Sequence, residues 1–223
     1  MTTYVLVPGA WIGGWAYAEV ADLLRAEGHE VHAVTLSGLD GGGDAASIDL
    51  ETHIADVTAV IGDREDVVLV GHSYAGMVIT GVADRVGERL AKLVYLDSAP
   101  FENGESMLDF SGPIPNVDDR FPFPSFEALS QDAGIDKDTY DFLSTKAVGH
   151  PYGSYEQPLR ISDKEQAFER VVIACDDFRG LVATGMPRFQ QFVPPAWKRV
   201  DIDTGHWPMI TTPKELAAIL AAL

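Results

Sequence analysis

Short apolar runs alternate with amphipathic helical patterns along most of the chain, and no other feature narrows its fold as far. TYVLVPG, EVHAVTL, DVVLVGH, AKLVYLDSAP, RVVIACDD and WKRVDIDTGH read as strands. Their apolar stretches are near-continuous rather than alternating, as strands buried on both faces require. Between them, GGWAYAEVADLLRAEG places Ala16, Val20, Leu23 and Leu24 on one face and stops at Gly28. DLETHIADVTAVIGD carries Leu50, Ile54, Val57 and Ile61 on one stripe behind an N-cap at Asp49. YAGMVITGVADRVGERL is a third helix, and TTPKELAAILAAL a last one, with capping-box spacing from Thr212 to Glu215 and Pro213 in its first turn. This alternation predicts an α/β protein, a mostly parallel sheet of about six strands with helices on both faces.

The rhythm breaks between Phe101 and Asp163. That stretch is rich in proline and aromatic residues (Phe101, Phe110, Phe121, Phe123, Phe126) and holds only short helical patches. An insertion of this size after a strand end is expected to be a lid or a specificity element. The expected organisation is therefore a core from residues 1–100 and 164–223 with a lid from 101–163.

Charge limits the partners. A formal net charge of -18 opposes binding to nucleic acid or anionic membrane, since both would be repelled. The single cysteine, Cys175, excludes an internal disulfide and fits a reducing compartment. No basic segment followed by an apolar run opens the chain, and no stretch is long enough to span a bilayer. A soluble, cytoplasmic protein acting on a small molecule is the expectation, with no metal and no cofactor. The loop Asp40-Gly-Gly-Gly-Asp44 has too few ligands for calcium.

The stretch VVLVGHSYAG carries a buried strand into a serine, Ser73, and then into a helix. Gly71-His72-Ser73-Tyr74-Ala75 resembles the G-x-S-x-G nucleophile elbow, a strained strand-to-helix turn that exposes its serine above the sheet. The flanking positions must be small so that strand and helix approach closely. Ala75 exceeds glycine there by one methyl group, and Gly76 follows. A serine that merely caps a helix is the plainer reading, but the buried strand before it and the amphipathic helix after it favour a nucleophile.

An elbow serine needs a histidine late in chain order. Of six histidines, His206 fits best, in DIDTGHWPM between the last strand and the last helix. Two backbone N–H donors must then face the developing oxyanion. One is expected from Tyr74, the residue after the nucleophile, and the other from Ala10 in the loop VPGAWIGG. A dinucleotide site is the rival reading of that loop. G-x-G-x-x-G needs glycine where Trp11 stands, and EVHAVTL ends without an acidic residue for a ribose. An NAD(P)-dependent oxidoreductase is therefore a minor alternative.

Taken together, YVLVPGAWIGGWAY, LLRAEGHEV, VVLVGHSYAGMVI, LVYLD and TGHWPMITTPKELAAIL resemble the α/β-hydrolases across nearly the full chain. The resemblance is to the branch of plant methylesterases, hydroxynitrile lyases and short bacterial esterases. It implies an α/β-hydrolase fold and a Ser-His-acid enzyme acting on esters, with Ser73 and His206 in the triad and Ala10 and Tyr74 as oxyanion donors. Most relatives carry histidine where this chain has Pro8. Lyase members carry threonine at the position of Gly9 and lysine at that of Trp207, so hydrolysis is favoured over cyanohydrin cleavage. The acid stays open between Asp97, at the end of LVYLD, and Asp177 or Asp176 after RVVIAC. Asp97 is preferred, because an aspartate at the end of an apolar strand needs a partner. Trp11, Trp207 and the aromatic insertion predict an apolar pocket for small to medium neutral esters. A receptor-like or lyase-like protein that binds a small molecule on the same fold is the alternative.

Overall fold

A computed structural model of the chain describes residues 1–132, 135–162, 167–192 and 197–223. Among these residues, six strands form one parallel sheet in the order β2-β1-β3-β4-β7-β8. They are β1 (Thr3–Val7), β2 (Glu30–Ala33), β3 (Val67–His72), β4 (Leu90–Leu96), β7 (Glu169–Ala174) and β8 (Lys198–Asp201). Between β4 and β7, the pair β5 (Arg120–Phe121) and β6 (His150–Pro151) makes a separate antiparallel ribbon.

Alternate side chains of the central strands feed two cores. Val5, Leu69 and Tyr95 pack with α2 (Leu50–Ile61) and α3 (Ala75–Val86) on one face. Leu6, Val70 and Leu96 pack with α1 (Ala18–Ala26) and α11 (Pro213–Ala221) on the other. The expected α/β-hydrolase architecture is present, and its period-2 burial shows why these strands read as unbroken apolar runs. Asp49 caps α2 as expected, its side chain accepting from the Thr52 N–H at 2.9 Å.

Two local readings need correction. The expected capping box at Thr212 is absent. A short helix, α10 (Pro208–Thr211), runs directly into α11, and the Thr212 hydroxyl turns back to the Pro208 carbonyl. RVVIACDD also does not stay extended. Its strand stops at Ala174, and Asp176 opens α8 (Asp176–Ala183), where a carboxylate suits the positive end of the helix dipole.

The segment after β4 holds α4 (Met107–Ser111), α5 (Phe126–Asp132), α6 (Lys137–Ser144) and α7 (Gly153–Glu156), short helices as the sequence implies. Its expected end near Asp163 lies outside the described residues. A further short helix, α9 (Pro187–Gln190), follows α8. Among the described residues, no helix is long and apolar enough to cross a membrane.

Candidate active site

Parallel strands deliver their carboxyl ends to one edge of the sheet, where side chains from distant stretches of chain can meet. Ser73 follows β3 directly, at φ 53°, in the left-handed region that non-glycine residues rarely adopt. Its N–H is tied to the Leu96 carbonyl at 3.2 Å, and its own carbonyl accepts from the Ser98 hydroxyl at 2.6 Å and the Gly76 N–H at 2.9 Å. These bonds hold the turn in a conformation that would otherwise relax.

The small neighbours have distinct reasons. A Cβ on Gly71 would lie 2.8 Å from the Ala75 carbonyl oxygen, so strand and helix leave no space there. At Gly76 the intrusion is worse, 2.1 Å from Ser98 Oγ and 2.8 Å from the Ala99 carbonyl. The methyl group of Ala75 is accommodated, and Gly76 takes the tight contact. Gly76→Ala is expected to destabilise the fold by about 1–3 kcal/mol, since the methyl group meets a backbone oxygen. A urea titration at neutral pH checks this, and an unchanged midpoint would contradict the packing described.

His206 lies between Ser73 and Asp97. Its Nε2 is 2.9 Å from Ser73 Oγ, and its Nδ1 is 2.5 Å from Asp97 Oδ2. Asp97 follows β4 at φ 46° and is buried. Its other oxygen, Oδ1, accepts the Cys175 N–H at 3.0 Å, and its own N–H reaches the Ile173 carbonyl at 2.8 Å. Burial alone would raise the Asp97 carboxyl. The hydrogen bond and attraction to His206, with smaller help from His72 and the Cys175 N–H, outweigh burial and hold it below its ordinary value. Asp176, the other described candidate, pairs with Arg179 at the exposed start of α8. The side chain of Asp177 lies outside the described residues.

The loop after β1 sits against the elbow. A Cβ on Gly9 would be 3.0 Å from Ser73 Cβ and 2.8 Å from His72 Nδ1, so the loop packs closely on the elbow at the residue before Ala10. Tyr74 heads α3 as its N-cap residue. Trp11 and Trp207 both line a cavity of about 430 Å3 that reaches Ser73 and His206. The inserted segment supplies Phe101, Met107 and Tyr155 to its walls, and the stretch after β7 adds Phe178, Leu181 and Phe189. Among the described residues, no cluster of histidine, cysteine, aspartate or glutamate is arranged to hold a metal ion.

Three further histidines escaped the sequence reading as parts of this site. His72 is buried in the elbow, with Nε2 2.6 Å from the His206 carbonyl. His53 bonds the Tyr74 hydroxyl at 2.9 Å, and His150 sits under the β1 loop. Burial depresses all three; with repulsion from His206, it takes His72 down to about 3. A histidine kept neutral in the fold but free to protonate when unfolded contributes stability that is complete above about pH 6.5 and lost as the pH falls. Unfolding free energy is therefore expected to fall as the pH drops below that point, by about 1.4 kcal/mol per pH unit for each histidine that stays neutral in the fold. Denaturant titrations at pH 7 and 5.5 test this, and equal stability at both would refute it.

The sequence matches the model of the alpha/beta hydrolase family over residues 4–219. It is 36% identical to the carbendazim hydrolyzing esterase of Nocardioides sp. (strain SG-4G), with 100% of both chains covered. It is 29% identical to salicylic acid-binding protein 2 of Nicotiana tabacum over 70% of this chain and 54% of that one. In three dimensions it superposes on an extracellular alpha/beta-hydrolase from a Paenibacillus species with a TM-score of 0.82, at 18% identity, covering 100% of this chain and 98% of the other. A pyrethroid hydrolase from Sphingobium faniae JZ-2 follows at TM-score 0.77 and 22% identity, covering 99% of this chain and 96% of that one. On this evidence the chain belongs to the alpha/beta hydrolase family.

Proposed function

We propose that the chain is a carboxylic ester hydrolase that works through an acyl-enzyme on Ser73. The observation that carries this reading is the unbroken run of hydrogen bonds from Ser73 Oγ through both nitrogens of His206 to buried Asp97, opening onto an apolar cavity. Ser73 Oγ attacks the ester carbonyl while His206 Nε2 takes its proton, and Asp97 stabilises the imidazolium. The N–H groups of Ala10 and Tyr74 receive the negative charge on the carbonyl oxygen. Collapse of this intermediate breaks the bond to the alkoxy oxygen, which leaves as the alcohol with the proton from His206. Water then attacks the acyl-enzyme, giving its proton to His206, and Ser73 recovers a proton as the acid departs.

The cavity sets the substrate class. Among the described residues its lining includes no lysine, arginine or glutamate, which favours a neutral acyl group over a charged one. About 430 Å3 suits small to medium neutral esters, and the inserted segment serves as the lid over them. The lyase alternative is disfavoured at Gly9, where even a methyl group would press on His72, leaving no room for a threonine. The net charge of -18 and the single buried cysteine support a cytoplasmic protein without nucleic-acid or membrane partners.

The test is initial-rate hydrolysis of p-nitrophenyl acetate, butyrate and octanoate, followed by intact-mass detection of the acyl-enzyme. Carbendazim, named in the Nocardioides relative, joins the panel. An acyl adduct on the peptide carrying Ser73 is expected. No turnover and no adduct on any of these compounds would end the esterase reading.

A further inference from the structure

Trp11 follows Ala10 and holds φ 65°, a left-handed conformation that is costly for a bulky side chain and persists only where its surroundings fix it. The inserted segment does the fixing, through ring contacts from Phe121 and Phe123 and, among the described residues, three hydrogen bonds. The Val148 N–H donates to the Trp11 carbonyl at 2.9 Å, and the Trp11 indole N–H donates to the Phe121 carbonyl at 3.0 Å. The Trp11 backbone N–H points at His150 Nδ1, at 3.4 Å.

The polar partners of His150 are assigned by chemistry. The Ser154 hydroxyl donates to the Pro151 carbonyl at 2.8 Å, so toward His150 Nε2, 2.9 Å away, it acts as acceptor. The imidazole therefore carries its proton on Nε2 and offers a lone pair at Nδ1 to Trp11. His150 is fully buried, and its ring lies 4.4 Å from that of Tyr74. Tyr74 is anchored in turn: its hydroxyl donates to His53 Nδ1 at 2.9 Å, and His53 Nε2 donates to the Ser37 carbonyl at 3.0 Å. Both residues proposed to supply oxyanion donors thus lean on one buried cluster. Ala10 is held through its neighbour Trp11, and Tyr74 through its ring.

We infer that His150 is a positioning residue that sets the spacing of the oxyanion hole, coupling the inserted segment to the β1 loop. This rests on the ester-hydrolase reading above. His150 touches no substrate and moves no proton. It fixes where the Ala10 N–H stands relative to that of Tyr74, and this matters most when the carbonyl oxygen gains charge. Losing His150 should therefore impair the transition state far more than ground-state binding.

The experiment compares wild type with His150→Phe, His150→Asn, Ser154→Ala and Ser73→Ala on p-nitrophenyl butyrate. Inhibition by an alkyl trifluoromethyl ketone, whose hemiketal oxyanion occupies the same donors, is measured beside it. His150→Phe is expected to lower kcat by about 10–100-fold with KM held within about 3-fold. The trifluoromethyl ketone should weaken by the same factor as kcat. His150→Asn, whose Oδ1 can accept the Trp11 N–H, should recover most of the loss. Should His150→Phe not fold, Ser154→Ala, which frees the ring at Nε2, is expected to lower kcat by about 3–10-fold with KM unmoved. Unchanged kcat in either variant, or a rise in KM alone, overturns the inference. Turnover that survives in Ser73→Ala would instead sink the proposed function, and the positioning role with it.

Discussion

Ser73→Ala is expected to lower kcat/KM on p-nitrophenyl esters by about 10^4–10^6-fold, the largest effect of any single substitution here. The size follows from the division of labour in the site. In the proposed mechanism, loss of Oγ removes the acyl-enzyme, so His206 and the two proposed N–H donors can only assist direct attack by water on a bound ester. The fold should not suffer. Alanine at φ 53° meets a strain like that of serine, and the bonds that hold the turn use the backbone of Ser73 rather than its hydroxyl. A thermal melt at or above that of wild type, combined with collapsed turnover and no adduct by intact mass, is the expected pattern. Retained turnover would mean that another group attacks, and the reading would have to be rebuilt.

Asp97→Asn should follow, with kcat falling by about 10^4-fold. The structure gives a reason specific to this site. Oδ1 of residue 97 accepts the Cys175 N–H, so an asparagine places its carbonyl oxygen there and turns its amide nitrogen toward His206 Nδ1. That nitrogen donates. His206 must then present a lone pair at Nδ1 and carry its proton on Nε2, facing Ser73, where it can no longer act as a base. Asparagine also tolerates the left-handed backbone at φ 46° better than most residues, which confines the change to the hydrogen bonding. Rates measured from pH 6 to 10 separate this from misfolding. Activity that recovers under alkaline conditions would fit hydroxide taking the role of the base, whereas near-normal kcat at pH 8 would remove Asp97 from the triad.

The strands and long helices were legible because burial on a parallel sheet writes itself into local pattern. Val67–Val70 has no polar interruption, and Leu50, Ile54, Val57 and Ile61 recur at helical spacing, all of them buried. Thr212 misled because a capping box depends on what precedes it, and the turn at Pro208 already occupies that hydroxyl. Ser73 and His206, which the structure brings within 2.9 Å, were accessible from position alone, each beyond the end of a strand in the expected order. The partner of His206 is a different kind of question. Asp97 lies 109 residues away, and which carboxylate reaches Nδ1 depends on how β4 and β7 lie side by side. His150 left no trace at all. Its link to Trp11 spans 139 residues, and a histidine within a loop-rich insertion has no periodicity to betray its burial.

With Asp97, just after β4, as the proposed acid, the stretch after β7 is left with a lighter duty. There the chain gives Asp97 one backbone N–H, from Cys175, and then turns Phe178, Leu181 and Phe189 into the cavity wall. A main-chain donor is indifferent to the side chain that bears it. Mutational drift along α8 and α9 can therefore reshape the ester this scaffold accepts while the acid–base pair stays intact, so inherited chemistry and changing diet are carried by separate stretches of one chain.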